Sequence, residues 1–123
     1  MPVSAISTCG GTSLVTGTGG GLIRVPTVLD AHPNEFDCQL AEGNSGTAVS
    51  RLQIDLNDCF GENLAVDGSF GPLTKTAVED AQIAEGLTGS QVDGIYGPIT
   101  IDRFQYEKRN AAFIGDCDFI LNG

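Results

Sequence analysis

Several functions are excluded by what this chain of 123 residues lacks. It has no tryptophan, one histidine and only 6 basic residues against 16 acidic ones, so its formal net charge is −10. Because so acidic a chain repels phosphate groups, we exclude nucleic-acid binding, and anionic membrane surfaces are disfavoured for the same reason. No apolar run approaches the roughly 18 residues needed to span a bilayer.

Residues suited to catalysis are also scarce. Nucleophilic hydrolysis needs a nucleophile beside a general base, and the single histidine, His32, lies next to a proline in a predicted loop. Paired carboxylates can hydrolyse glycosides, but in a chain with 16 acids such pairs arise easily by chance. We therefore predict no catalytic residue, no cofactor and no metal site, and a cryptic hydrolase is the least favoured alternative.

The four cysteines do not have zinc-ribbon spacing, because no two of them form a CxxC pair. An even number in a small chain favours two disulfides and hence an oxidising compartment. The chain starts with Met1-Pro2 and a polar stretch, which we interpret as a mature secreted domain with an added start methionine. The alternative is a cytosolic protein with four buried free thiols. The cysteines are Cys9, Cys38, Cys59 and Cys117.

Residues 1–37 are predicted to form an extended N-terminal extension. Two β-prone runs, 13–16 and 22–25, flank a glycine-rich cluster at 17–21, a pattern typical of a β-hairpin with a longer loop. We expect this extension to pack with the remaining residues, 38–123, as one unit.

The hydrophobic pattern changes period after residue 45. Apolar residues then recur at steps of three and four, which predicts a helix over 46–59. Ser45 is a plausible N-cap for this helix, and Gly61 suits a left-handed C-cap. The residues of the apolar face are Val49, Leu52, Leu56 and Cys59.

An internal repeat follows this helix. The nine residues 66–74 recur at 92–100, an offset of 26, with six identities. In each copy, Asp-Gly predicts a tight turn whose carboxylate accepts loop N–H groups, and Gly-Pro predicts a helix that starts at the proline. The aromatic residue between them is expected to pack inward. We therefore predict helices over 72–85 and 98–110.

The two ends of the chain are predicted to lie together and to be joined by a disulfide. Residues 117–121 are interpreted as a strand that pairs with the N-terminal hairpin. Four cysteines allow three connectivities, of which we favour Cys38–Cys59 and Cys9–Cys117. The first helix is about 20 Å long, and the seven residues from Cys38 to Ser45 can span about 23 Å. Cys38 can therefore run back along the helix to Cys59, and the other pair would join the terminal strands.

These residues resemble a known family. The pattern Val49-x-x-Leu52-Gln53-x-x-Leu56-Asn57, followed by the two Asp-Gly…Gly-Pro…Thr motifs, is similar to the bacterial peptidoglycan-binding domain of the three-helix type. The resemblance covers residues 40–107. It implies an α+β, mainly α fold: a three-helix bundle with two repeated loops, to which the termini add a small antiparallel β element. The four-cysteine frame resembles small secreted actinobacterial versions of this domain.

The resemblance implies a non-catalytic, secreted and cell-wall-associated module that binds peptidoglycan, through either its glycan or its stem peptide. We expect a monomer with a shallow groove between the repeated loops and the helix faces, lined by helix N-terminal N–H groups and a few side chains. The candidate ligand-binding residues are Asp67, Phe70, Thr74, Tyr96, Thr100 and Arg103.

A structural interpretation of the same residues stays open. Turn aspartates commonly bind loop N–H groups, buried aromatic rings commonly anchor loops, and Arg103 could balance neighbouring acids. A different class of function also stays open, namely a secreted interaction protein, either an inhibitor or an assembly subunit, that binds another protein with the same scaffold.

Overall fold

The computed structural model describes residues 7–28, 38–110 and 115–120, so His32 and the end of the predicted terminal strand lie outside the described residues. The helices in these ranges are α1 (Thr47–Phe60), α2 (Pro72–Ala84) and α3 (Pro98–Arg103), with a 3₁₀ turn at Gly89–Gln91. The strands are β1 (Ser7–Thr8), β2 (Gly11–Thr16), β3 (Leu22–Thr27), β4 (Cys38–Gln39), β5 (Tyr106–Glu107) and β6 (Cys117–Asp118). This mainly helical α+β arrangement confirms the predicted fold class.

The first helix follows its predicted apolar face. Leu52 and Leu56 of α1 are fully buried, and the helix ends at Gly61 in the predicted left-handed conformation, with a φ of 70°. The prediction of Ser45 as the N-cap is wrong, because the N-cap is Gly46. The backbone of Ser45 instead forms an antiparallel bridge with Ser69 of the first repeated loop.

The predicted hairpin is confirmed. Strands β2 and β3 pair antiparallel, with a register that runs from Gly11↔Thr27 to Thr16↔Leu22. Ile23 and Val25 of β3 are fully buried in the same hydrophobic core as the apolar face of α1. The N-terminal hairpin therefore shares its core with the helices.

The third helix is shorter than the predicted range of 98–110. It ends at Arg103 because Phe104 takes an extended backbone conformation, with a φ of −81° and a ψ of 158°. This turn buries both Phe104 and Tyr106 completely, which a continued helix would not do for two residues on different faces. The prediction of helix beyond Arg103 is therefore wrong, and Tyr106 pairs with Asp118 across β5 and β6.

The segment 38–46 crosses from the second repeated loop to the first. At one end, Leu40 and Tyr96 exchange two backbone hydrogen bonds of 2.9 Å. At the other end, Phe70 N–H donates to the carbonyl oxygen of Asn44 at 2.9 Å. We call residues 38–46 the crossing segment, since it joins the two loops to each other.

Two disulfides are present, but the predicted pairing is wrong. The bonds are Cys9–Cys38 and Cys59–Cys117. The crossing segment runs between the two loops and not back along α1, so Cys38 never approaches the end of that helix. It lies instead beside Cys9, because β1 and β4 pair in parallel, and Cys59 meets β6 at the end of α1.

The C-terminal segment meets the hairpin at its turn. Strand β6 pairs with β5 and not with a strand of the hairpin, but Ile120 forms a bridge with Gly17. Thr18 N–H also donates to the carbonyl oxygen of Phe119 at 2.9 Å. The predicted contact between the two chain ends is thus confirmed at this turn, although its strand partner is different.

A cluster of charged groups joins α1 to β5. Arg51 Nη2 lies 3.3 Å from Asp55 Oδ1 and 3.0 Å from Glu107 Oε1. Asp55 is buried, and its Oδ1 also accepts the Glu107 backbone N–H at 3.0 Å. Burial raises the pKa of Asp55 from 3.8 to about 8, against the opposing charge of Arg51. A hydrogen bond with Glu107 raises the pKa of Asp58 to about 6 and lowers that of Glu107.

We expect Asp55→Asn to flatten the pH dependence of stability between pH 6 and 8. In this window folded Asp55 keeps a proton that the unfolded chain releases, so the free energy of unfolding falls as the pH rises, by about 1 kcal/mol per pH unit. Asparagine keeps the Oδ1 acceptor but does not titrate. Urea denaturation of both proteins at pH 6 and pH 8 measures the difference, and equal slopes would contradict the assignment of a raised pKa to Asp55.

The disulfide pairing predicts the behaviour of the double variant Cys59→Ser/Cys117→Ser. Removal of this bond, which links residues 58 positions apart, should lower the free energy of unfolding by about 4 kcal/mol. The remaining Cys9 and Cys38 should stay bonded to each other. Urea denaturation gives the first quantity, and alkylation under non-reducing conditions gives the second. Two alkylated thiols in the folded variant would refute the pairing.

Candidate functional site

A buried glutamine of α1 holds the first repeated loop, residues 66–71. Gln53 is 1% exposed, and its Oε1 accepts the backbone N–H groups of Asp67 at 3.2 Å and Gly68 at 3.0 Å. Its two Nε2 hydrogens are shared among three oxygens of the loop and of the helix that follows it. The oxygens are Asp67 Oδ1 at 3.1 Å, the Ser69 carbonyl at 3.1 Å and Thr74 Oγ1 at 3.2 Å.

An equivalent glutamine of α2 holds the second loop, residues 92–97. Gln82 is 0% exposed, and its Oε1 accepts N–H groups from Asp93 and Gly94, both at 3.1 Å. Its Nε2 also donates to the three equivalent oxygens, so the two glutamines bind their loops alike. These are Asp93 Oδ1 at 3.1 Å, the Ile95 carbonyl at 3.1 Å and Thr100 Oγ1 at 2.9 Å. We call each glutamine with its bonded loop a clasp.

The aspartate of each loop closes the predicted turn. Asp67 Oδ1 accepts the Ser69 N–H, and Asp93 Oδ1 accepts the Ile95 N–H, both at 2.9 Å. The hydrogen bond from Ser69, followed by that from Gln53, lowers the pKa of Asp67. The predicted role of the two carboxylates in accepting loop N–H groups is thus confirmed.

Glycine is required after each aspartate. Gly68 and Gly94 have φ values of +74° and +73°, which disfavour a side chain. A Cβ on Gly68 would lie 2.9 Å from Ser50 Oγ, and one on Gly94 would lie 2.5 Å from Lys75 Cγ. The preceding helix therefore packs directly on the backbone of each turn.

The two repeated aromatic residues are part of the core. Phe70 and Tyr96 are buried, and Tyr96 Oη lies 2.7 Å from Tyr106 Oη, which donates to the Ile101 carbonyl at 2.8 Å. Burial raises the pKa of both tyrosines well above its usual value. These rings anchor their loops, and in this structure neither has a free face on which a sugar could stack.

Each clasp leaves a groove open to solvent between its loop and the start of the next helix. The first groove, about 190 Å³, is lined by Gln53, Leu64, Ala65, Asp67, Ser69 and residues 71–74. The second groove, about 490 Å³, is lined by Gln39, Ser90, Gln91, Asp93, Ile95 and residues 97–100. Because the two sets share no residue, the structure has two grooves at equivalent positions in place of the one shallow groove expected from the sequence.

An exposed aliphatic residue borders each groove. Leu73 is 78% exposed and Ile99 is 58% exposed, and each follows the proline that starts its helix. Ligand grooves are commonly lined by apolar side chains together with a few polar groups. The two residues occupy equivalent positions of the repeat, so they form a matched pair for mutation.

The predicted site residues fall into three groups. Asp67 and Thr74 line the first groove, and Thr100 lines the second. Phe70 and Tyr96 are buried, as described above. Arg103 is exposed at the end of α3 and is not among the residues that line either groove.

The glutamines of the clasps were not assigned a role from the sequence. Each one ends a similar run, Val-x-x-Leu-Gln at 49–53 and Val-x-x-Ala-Gln at 78–82. However, Gln53 precedes its loop aspartate by 14 positions and Gln82 by 11, so an ungapped repeat with an offset of 26 does not align them. A search that allowed a gap of three residues would have found the pair.

Within 7–28, 38–110 and 115–120, every helix is too short or too polar to cross a membrane. The same ranges contain no group of three or more histidine, cysteine, aspartate or glutamate residues that could hold a metal ion.

The fold and the paired clasps define a small disulfide-bonded domain built from two helix–loop units that share α2. The family model described as a putative peptidoglycan binding domain matches residues 45–104, which contain both clasps. The chain belongs to this family.

Two similar proteins extend this comparison. The zinc D-Ala-D-Ala carboxypeptidase of Streptomyces albus G is 48% identical over 66 residues, which are 52% of this chain and 25% of the enzyme. The chain thus spans about a quarter of that enzyme's length. An uncharacterized protein of Kitasatospora aureofaciens is 33% identical over 99 residues, 80% of this chain and 81% of the relative.

We expect Gln53→Leu and Gln82→Leu each to lower the free energy of unfolding by about 3 kcal/mol, because each leaves buried loop groups without hydrogen bonds. Gln105→Leu is the matched control, since Gln105 is half-buried and its Nε2 donates one bond of 3.0 Å to Glu85. This control should cost less than about 1 kcal/mol. Urea denaturation measures all three, and a clasp variant as stable as the control would show that the clasp does not fix the loop.

Proposed function

We propose that this chain is a secreted, non-catalytic module that binds peptidoglycan through the grooves beside its two clasps. The observation that carries the proposal is the pair of equivalent grooves at the two repeated loops, inside the residues matched by the peptidoglycan-binding family model. Two disulfides are consistent with an oxidising compartment.

The rigidity of the grooves supports binding. Each loop is held by four hydrogen-bond contacts to its glutamine and by a buried aromatic ring, so little conformational entropy is lost when a ligand binds. In this proposal Asp67, Thr74 and Thr100 contribute to the groove walls, while Phe70 and Tyr96 act through the loops that they anchor. Arg103 takes no part in the groove contacts.

The charge of the protein limits the kind of contact. A net charge of −10 opposes association with anionic wall polymers. No lysine or arginine is among the described residues that line the two grooves. Binding should therefore depend on apolar contacts and neutral hydrogen bonds, and it should not weaken as salt increases.

The comparison with the carboxypeptidase supports binding without catalysis. That enzyme shares only a quarter of its length with this chain, and the shared part falls in the binding domain. We therefore propose that the chain holds the polymer and does not cut it.

The test is sedimentation with purified sacculi that have been stripped of teichoic acid. Wild-type protein at low micromolar concentration should sediment with them, and Leu73→Asp/Ile99→Asp should bind at least tenfold more weakly, because both apolar rims are lost. Ile83→Asp is the matched control: Ile83 is 61% exposed on α2 and lines neither groove. This control should sediment like the wild type.

Two results would overturn the proposal. If the wild type does not sediment, the alternative of a secreted protein that binds another protein is favoured. If the turbidity of the sacculi falls below that of a buffer control, the protein is an enzyme. Repeating the sedimentation at low and high salt tests the prediction that binding does not weaken as salt increases.

A further inference from the structure

The two grooves differ in size. The first has a volume of about 190 Å³ and the second about 490 Å³. Pockets that bind small molecules commonly measure about 300–1,000 Å³, and only the second groove falls in this range. The repeat alone therefore does not determine the capacity of each groove.

The residues that flank the loops explain this difference. Beside the first loop, Leu64 and Ala65 form the groove wall, and Asn57 holds Leu64 in place by two hydrogen bonds of 2.8 and 3.0 Å. Beside the second loop, the wall comes from the 3₁₀ turn, with Ser90 and Gln91, and from Gln39 in β4. This wall is made of polar residues in the second groove and of aliphatic residues in the first, and the second groove is the larger.

The lining of the second groove has a definite chemistry. Gln39 and Gln91 carry carboxamides, which both donate and accept hydrogen bonds, and Ile95 and Ile99 are partly exposed aliphatic residues. Among the described residues that line this groove, one side chain is charged, that of Asp93. Its carboxylate already accepts hydrogen bonds from Gln82 and from the Ile95 N–H.

We propose that the second groove is the principal ligand site and that it binds a neutral N-acetylated amino sugar of the glycan strand; this inference rests on the proposed function. The acetamido group has one donor and one acceptor for the carboxamides, and its methyl group can pack on the isoleucines. A carboxylate or phosphate would instead meet Asp93 with no cation in the described lining to offset the repulsion.

This proposal gives the N-terminal extension a function. Gln39 lies outside the residues 45–104 matched by the family model. It is held on one side by the Cys9–Cys38 disulfide and on the other by the bridge between Leu40 and Tyr96. The extension thereby holds a lining residue of the second groove in place through Cys9, although no described residue of 1–37 lines either groove itself.

The direct test is a titration of ¹⁵N-labelled protein with three neutral or anionic probes at physiological salt. A β-1,4-linked tetramer of N-acetylglucosamine should shift the amide signals of Gln39 and of residues 90–97. Cellotetraose, which lacks the acetamido group, should bind at least tenfold more weakly. A free stem pentapeptide should cause no shift in this groove.

Single variants identify the groove. Ile99→Asp and Gln39→Ala should each weaken binding of the acetylated tetramer at least fivefold, whereas Leu73→Asp, the equivalent change in the first groove, should weaken it less than twofold. Ile83→Asp, outside both grooves, is the control for an added surface charge. Dispersed ¹⁵N spectra establish that each variant is folded.

The outcomes separate this inference from the proposed function. If the wild type sediments with sacculi but binds the stem pentapeptide and not the tetramer, or if Leu73→Asp weakens tetramer binding more than Ile99→Asp does, the inference is wrong and peptidoglycan binding stands. If the wild type does not sediment at all, the proposed function fails and this inference fails with it.

Discussion

The structure depends on two buried side-chain amides that must be fully hydrogen-bonded. Burying an unpaired carboxamide would cost several kcal/mol, and Gln53 and Gln82 avoid this cost only when the loop beside each one folds into a single conformation. Each amide binds two N–H groups and two oxygens of its loop, and a threonine hydroxyl oxygen of the next helix. The helix therefore determines the shape of the loop that follows it, and the grooves are the space that this shape leaves beside the next helix.

Local sequence was sufficient where local chemistry determines the structure. The nine-residue repeat predicted two like turns, the prolines predicted the starts of α2 and α3, and Gly61 predicted the end of α1. In each case the information lies within a few residues of the feature. The clasps were missed because their parts are 14 and 11 positions apart, and because a glutamine on a helix usually faces solvent. Their burial depends on a loop whose approach the helix pattern does not reveal.

The predictions of the end of α3 and of the disulfide pairing were wrong because contacts between distant segments determine both features. The periodicity of residues 98–110 fits a helix, yet burial of Phe104 and Tyr106 against the core outweighs a few more helical hydrogen bonds. The disulfide pairing is likewise determined by contacts between distant segments. The length of the chain between Cys38 and α1 allows Cys38 to meet Cys59. However, the backbone hydrogen bonds of the crossing segment to both loops place Cys38 beside Cys9. Chain length limits which contacts are possible and does not choose among them.

The two clasps are alike, but the grooves beside them are not. The clasps are alike in the two loops, so a difference in ligand preference would come from Ser69 against Ile95 inside the repeat and from the residues outside it. Those residues are the wall of Leu64 and Ala65 on one side, and the 3₁₀ turn with Gln39 on the other. Gln39 is held beside its groove by the Cys9–Cys38 disulfide and by the bridge between Leu40 and Tyr96. The extension therefore supports this groove, although it lies outside the residues matched by the family model. If the proposed site is correct, ligand preference depends on the residues around the clasps, whereas the clasps themselves determine the conformation of the two loops.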